Sequence, residues 1–137
     1  MTRNIGLLTL AAIGLLAGCG GSSKPVGKVS GKVTFQGMPV NEGMVTFVRV
    51  GGSGSGAGPI ADGAYSAKGV DGGIPTGDYV AVVMPPQVTK DLGPNTSPAV
   101  VLKEMKEIPA KYRSETTSDL KLSVKEGSNE FNIDMKP

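Results

Sequence analysis

The chain contains no histidine and no tryptophan, and only one cysteine among its 137 residues. Without histidine, Ser-His-Asp and Cys-His nucleophile pairs, imidazole bases and imidazole metal ligands are all excluded. A lone cysteine forms no intramolecular disulfide and builds no Cys-rich zinc site. Aromatic residues are scarce, with three Phe and three Tyr. Charge of one sign is also lacking: 14 Lys and Arg stand against 12 Asp and Glu, and the formal net charge of +2 gives no reason to expect nucleic acid as a partner. What the chain has in quantity is turn chemistry, 21 glycines and 10 prolines, beside an apolar content of 39%. That combination suits one folded domain with many turns.

The longest apolar run is at the start. Arg3 precedes Ile5 to Leu16, twelve residues without a charge, which is short of the roughly 20 needed to span a bilayer. A positive start, a short apolar run and small residues at its end are the parts of a secretory signal peptide. Leu16-Ala17-Gly18-Cys19 follows, and it resembles the lipobox of bacterial lipoproteins, in which diacylglycerol is attached to the cysteine and the chain is cut just before it. The only cysteine of the sequence stands at that position. The resemblance implies that residues 1–18 are removed, that Leu16, Ala17 and Gly18 direct processing, and that Cys19 carries palmitate-type acyl chains. The mature chain then has 119 residues and, having lost Arg3, a net charge of +1. A single acyl chain anchors only marginally, at about 0.8 kcal/mol per buried CH₂, whereas two or three hold a protein stably on a membrane. Residues 19–27 read as a flexible tether and 28–136 as the domain. Gly20, not Asp, follows the cysteine, which by the same resemblance favours the outer membrane.

The domain reads as strands and turns. Val29, Gly31, Val33 and Phe35 alternate with Lys28, Ser30, Lys32 and Thr34, the period of a half-buried strand. Gln36 to Pro39 is a turn. In Met44 to Val50, Val45 and Phe47 alternate with Thr46 and Val48. Gly51 to Gly58 holds no side chain larger than serine and reads as a mobile loop. Asp62-Gly63 is a hairpin dipeptide between short strands ending at Ala61 and starting at Ala64. Gly77 to Met84 is apolar on both faces and reads as a central strand. Ser97-Pro98 is an N-cap and N1 pair, and with Val101, Leu102 and Met105 it predicts a short helix within 97–107. Leu120 to Val124 and Glu130 to Met135 alternate strictly and predict a closing antiparallel hairpin. About seven strands with little helix indicate an all-β sandwich.

Val29-Ser-Gly-Lys-Val-Thr-Phe35, Gly37-Met-Pro-Val40, Val45-Thr-Phe47, Asp62-Gly-Ala-Tyr65 and Gly77-Asp-Tyr-Val80 follow one another in an order that resembles the carboxypeptidase regulatory-like domain. Ile108-Pro-Ala-Lys-Tyr112, Thr117-Ser118 and Asn129-Glu-Phe131 resemble the closing segment of small bacterial lipoproteins carrying that domain. The resemblance spans Val26 to Met135 and implies a transthyretin-type (prealbumin-like) Greek-key sandwich acting as a non-catalytic accessory module. A relative of this fold hydrolyses 5-hydroxyisourate through histidines and a C-terminal Tyr-Arg-Gly-Ser. Tyr112-Arg113-Ser114 lacks the glycine and is not terminal, and the chain has no histidine.

Other motifs are weak. Gly56 to Ala61 formally fits G-x-G-x-x-A, but Pro59 and the following hairpin supply no helix for a dinucleotide. Asp62, Asp71 and Asp78 fall in turns at what reads as one end of the sandwich and offer oxygen donors to calcium, yet without EF-hand spacing they read as caps of their own backbone. The sequence therefore assigns no cofactor, no metal and no catalytic residue. The reading is a lipid-anchored envelope protein with a binding or structural module, whose partner is an envelope protein or a glycan. Two alternatives stand beside it: a glycan- or cell-wall-binding module using Tyr65 or Tyr112, the aromatics not needed for the core, and a carboxylate-only hydrolase using Asp62 with Asp78.

Overall fold

A computed structural model describes residues 24–52 and 55–137. Cys19, with Leu16, Ala17 and Gly18, lies outside the described residues. The fold is all-β, a curled and mainly antiparallel sheet closed around one core as a β-sandwich. In chain order the strands are β1 (Val26–Phe35), β2 (Met38–Pro39), β3 (Glu42–Arg49), β4 (Ser55–Ala61), β5 (Ala64–Gly69), β6 (Ile74–Pro75), β7 (Gly77–Met84), β8 (Gln87–Lys90), β9 (Ala99–Leu102), β10 (Lys121–Val124), β11 (Gly127–Glu130) and β12 (Ile133–Met135). The main sheet runs β10-β7-β3-β4-β5-β1-β11, with β2, β6 and β12 also paired to β1.

The alternation read in the sequence places the core. Val29 and Val33 of β1, Val45 and Phe47 of β3, and Tyr79, Ala81 and Val83 of β7 are buried in one cluster with Ile133 and Met135 of β12. Phe47 meets Tyr65 of β5 and Phe131, each with ring centroids 6.1 Å apart. β7 lies between β3 and β10, as a central strand should, although Val80 and Met84 on its second face are only half-buried. At the β4–β5 turn, Asp62 and Gly63 have φ of 51° and 78°, the positive values that an Asp-Gly hairpin turn supplies.

Four readings are corrected. The loop read over Gly51–Gly58 gives way at Ser55, where strand β4 begins and runs on into the short strand expected to end at Ala61; the alternate residues Gly56, Gly58 and Ile60 are buried between β3 and β5. No helix forms in 97–107; Ala99–Leu102 is β9, paired with β8 as a ribbon separate from the main sheet. The apolar Val100-Val101-Leu102 run fits either period, and its β-branched pair favours the extended chain. Among the described residues, what helical geometry exists is one 3-10 turn, Ala110–Arg113. β10 and the last strands do not form a hairpin: β10 pairs antiparallel with β7, while β11 and β12 pair parallel with β1. The crossing is held by Asn129, whose Nδ2 donates to Lys125 O at 2.7 Å and whose Oδ1 accepts from Lys125 N at 3.0 Å. Finally, β1 begins at Val26, so the domain starts two residues inside the stretch read as tether.

Candidate functional site

Strand register defines two ends of the sandwich. β3 runs from Glu42, opposite Ala61, to Arg49, opposite Tyr79, a length of roughly 25 Å at about 3.3 Å per residue. The far end carries the β1–β2 turn, the Asp62-Gly63 turn and the β8–β9 ribbon. The near end carries Lys24 to Val26, where the described chain leads in, with the segment from Val70 to Gly73, the start of β7 and the end of β10.

This geometry disposes of the paired carboxylates. Asp62 is at the far end, whereas Asp71 and Asp78 are at the near end, so the three are not gathered and Asp62 cannot work with Asp78. Asp78 accepts a hydrogen bond from Ser123 Oγ across the β7–β10 pair. No group of three or more Asp, Glu, Cys or His that could hold a metal occurs among the described residues. The tyrosines are not free either. Tyr65 and Tyr112 are 4% and 3% exposed; Tyr65 donates to Phe131 O at 2.6 Å, and the Tyr112 hydroxyl accepts from Lys136 N at 3.1 Å. Both are core residues with satisfied hydroxyls, and neither offers a platform to a sugar. Tyr65 and Ala67 alternate with Ala64, Ser66 and Lys68, so the inward position of Tyr65 was visible in the period of its strand.

Among the described residues, four side chains have a shifted pKa. Burial pushes the Tyr65 phenol well above its ordinary range. Burial also raises Tyr79, with the Arg49 guanidinium opposing. The Lys111–Asp119 hydrogen bond raises the lysine and lowers the aspartate. Each of these shifts moves its group further from neutral pH. The one buried polar side chain of the described core, Ser118, donates to Ala81 O at 2.6 Å and accepts from Leu120 N at 3.3 Å. It is structural.

A concavity lies at the far end. It encloses about 530 Å³ between Phe35–Glu42 and Lys103–Glu107. Its apolar parts are Phe35, Val40 and Met105, with the 70% exposed Met38 at the rim. Glu42 and Lys103 pair across it, and Glu104, Lys106 and Glu107 add charges of both signs. Beside it the ribbon exposes Val88, Val100, Val101 and Leu102. Such a surface, apolar at its base and ringed by mixed charge, suits contact with a protein chain better than chemistry on a small substrate.

Sequence reasoning missed this cleft because its two walls are about 60 residues apart in the chain. One signal was present in part. Arg113, in the Tyr112-Arg113-Ser114 run, donates from Nε and Nη2 to Ile108 O at 2.8 and 2.6 Å and from Nη2 to Met105 O at 3.0 Å. It thereby holds the irregular wall 103–108 in place. Charged hydrogen bonds of this kind are worth about 1.5–3 kcal/mol. Arg113→Met is expected to remove about that much stability locally and to speed amide hydrogen exchange at 104–108, with exchange in β3 and β7 unchanged.

Comparison with family models, with curated proteins and with solved structures finds no match for this chain.

Proposed function

We propose that the chain is a bacterial lipoprotein whose β-sandwich is a non-catalytic binding module of the cell envelope, anchored by acyl chains on Cys19 in the outer membrane and directed at a protein partner. The observation that carries this reading is the lone cysteine, placed directly after Leu16-Ala17-Gly18 at the end of the twelve-residue apolar run. The structure adds support from the domain boundary: ordered pairing begins at Val26–Gly27, leaving only a short stretch after Cys19. Among the described residues no helix is long and apolar enough to cross a membrane.

Membership in the carboxypeptidase regulatory-like family is part of the same proposal. Its five motifs fall on β1, the β1–β2 turn, β3, the β4–β5 turn and β7. The binding role rests on the far-end cleft and ribbon, which face away from the anchored end. The glycan and carboxylate alternatives lose their residues, since Tyr65 and Tyr112 are buried and Asp62 is remote from Asp78.

The test is to tag the C-terminus, extract the native protein from its own membrane fraction and measure the mass of its N-terminal peptide. The expected result is an acylated peptide beginning at Cys19. Cys19→Ser is expected to accumulate as a precursor retaining residues 1–18. An unmodified N-terminus, or normal maturation of the serine variant, overturns the anchor.

A further inference from the structure

The near end of the sandwich is built unlike an ordinary solvated end. Val70, in the turn after β5, is 98% exposed; Val50, just after β3, is 61% exposed; and Val26, at the start of β1, is 44% exposed. Strand ends and turns are normally occupied by residues that pair with water; here Val26 and Val70 share one hollow and Val50 lines others at the same end. Val26 and Val70 line one shallow hollow with Lys24 and Asp71, and Val26 lines a second with Lys28 and Lys68. Lysines at the edge of an apolar patch lay their methylene stems along it and hold the ammonium outward.

The chain itself limits what this end can meet. Pro25 O accepts from Thr76 N at 3.1 Å, so the backbone is tied to the sandwich from that point. From Cys19 to Pro25 there are six peptide steps, which span at most about 22 Å when fully extended. β1 alone has ten residues and is about 33 Å long. The leash is thus shorter than the body it carries, and it joins that body at the end bearing the valines.

We infer that the Val26–Val50–Val70 end is a membrane-docking surface: it rests on the lipid surface, with the valines at the headgroup boundary and Lys24, Lys28 and Lys68 beside lipid phosphates, and it orients the far-end cleft away from the bilayer. The inference rests on the lipid-anchor reading above. Apolar contact and lysine attraction to anionic headgroups act together in such surfaces. Asp71 sits among the lysines and tempers the charge, so the valines carry much of the contact.

The experiment uses full-length, acylated protein in vesicles of phosphatidylethanolamine and phosphatidylglycerol. Once Cys19 is acylated no other thiol remains, so Val70→Cys and, at the far end, Met38→Cys each take one nitroxide label. The label at 70 is expected to be at least fivefold less accessible to a water-soluble nickel relaxer than the label at 38, and more accessible to oxygen. Flotation with the vesicles and the mass of the Cys19 peptide are read on the same sample. Protein that floats and is acylated, yet shows equal nickel accessibility at 70 and 38, leaves the anchor standing and overturns the docked end. Protein that is neither acylated nor floated fails at the anchor itself. Shielding at 70 that follows protein concentration and not lipid content assigns the surface to a second copy and overturns the lipid contact.

Discussion

Replacing Gly58 with valine is expected to destabilise the domain by at least about 3 kcal/mol, a large part of the roughly 5–15 kcal/mol available to a domain. Gly58 is buried in β4 where β5 crosses closest: a Cβ there would lie 2.2 Å from Ser66 O, 2.6 Å from its carbonyl carbon and 2.9 Å from the Ala67 Cα. All three are backbone atoms, which no side-chain rotation can move aside. The ladder must open, and opening it also disturbs the pairs Ala57–Lys68 and Ile60–Tyr65 on either side. The control is the neighbouring Ala57→Val. Ala57 is exposed and paired within the same strand, so the change is expected within about 0.5 kcal/mol of the parent. Urea unfolding followed by circular dichroism measures both. A Gly58→Val midpoint equal to that of Ala57→Val would mean that 55–58 behaves as the loop its composition suggests.

That contrast locates the limit of what sequence could say. Where burial follows a side-chain period, the elements were legible: Val29 and Val33, Val45 and Phe47, and Tyr79, Ala81 and Val83 all point inward as their spacing requires. The Asp62-Gly63 turn was legible because only a few residues tolerate its positive φ values. β4 was not, since it contributes Gly56 and Gly58 to the interior and glycine carries no hydropathy signal. Its glycines record close approach of other atoms, Ile74 at Gly56 and Ser66 at Gly58, and that approach is set by strands elsewhere in the chain. The end of the chain shows a second limit. Strict alternation marked the strands β10 and β12, but Gly127–Asn129, read as turn, belong to β11, the chain leaves the strand at Phe131–Asn132, and alternation says nothing about the neighbour. A five-residue connection suits a hairpin, yet Asn129 bonds back to Lys125 and to Lys28 O, and the strand goes to β1 instead of β10.

The same limit governs the candidate site. The proposed lipidation of Cys19 rests on a local motif that sequence can show, whereas the cleft joins residues 35–42 to residues 103–107 and exists only in three dimensions. The carboxylates show the reverse error: Asp62, Asp71 and Asp78 are alike as turn residues, and only register along β3 and β7 places the first at the opposite end from the others. In the proposed reading, two roles fall to two ends. The near end adjoins the tether and its valines, the far end presents a mixed-charge cleft, and the core between them must be stiff enough to hold one away from the other.

That stiffness is expected to depend most on Phe47. Phe47→Ala should lower stability by about 3–5 kcal/mol, the range for deleting a buried aromatic ring. The ring is fully buried on β3, and it touches Tyr65 at an interplanar angle of 35° and Phe131 edge-on at 61°. Those contacts join three parts of the sheet: β3 in the middle, β5 on one flank, and the link between β11 and β12. Aromatic pairs contribute about 0.5–1.5 kcal/mol beyond area alone, so Phe47→Leu, which keeps most of the volume, should lose only about 1.5 kcal/mol. Tyr65 is also pinned by its bond to Phe131 O and cannot swing into the cavity without giving up that partner. With m near 1–2 kcal/mol/M in urea, the alanine midpoint should fall by about 2 M or more at unchanged m. Equal midpoints for the leucine and alanine variants would show that the cavity collapses and that the three aromatic rings do not act as the joint of the sandwich.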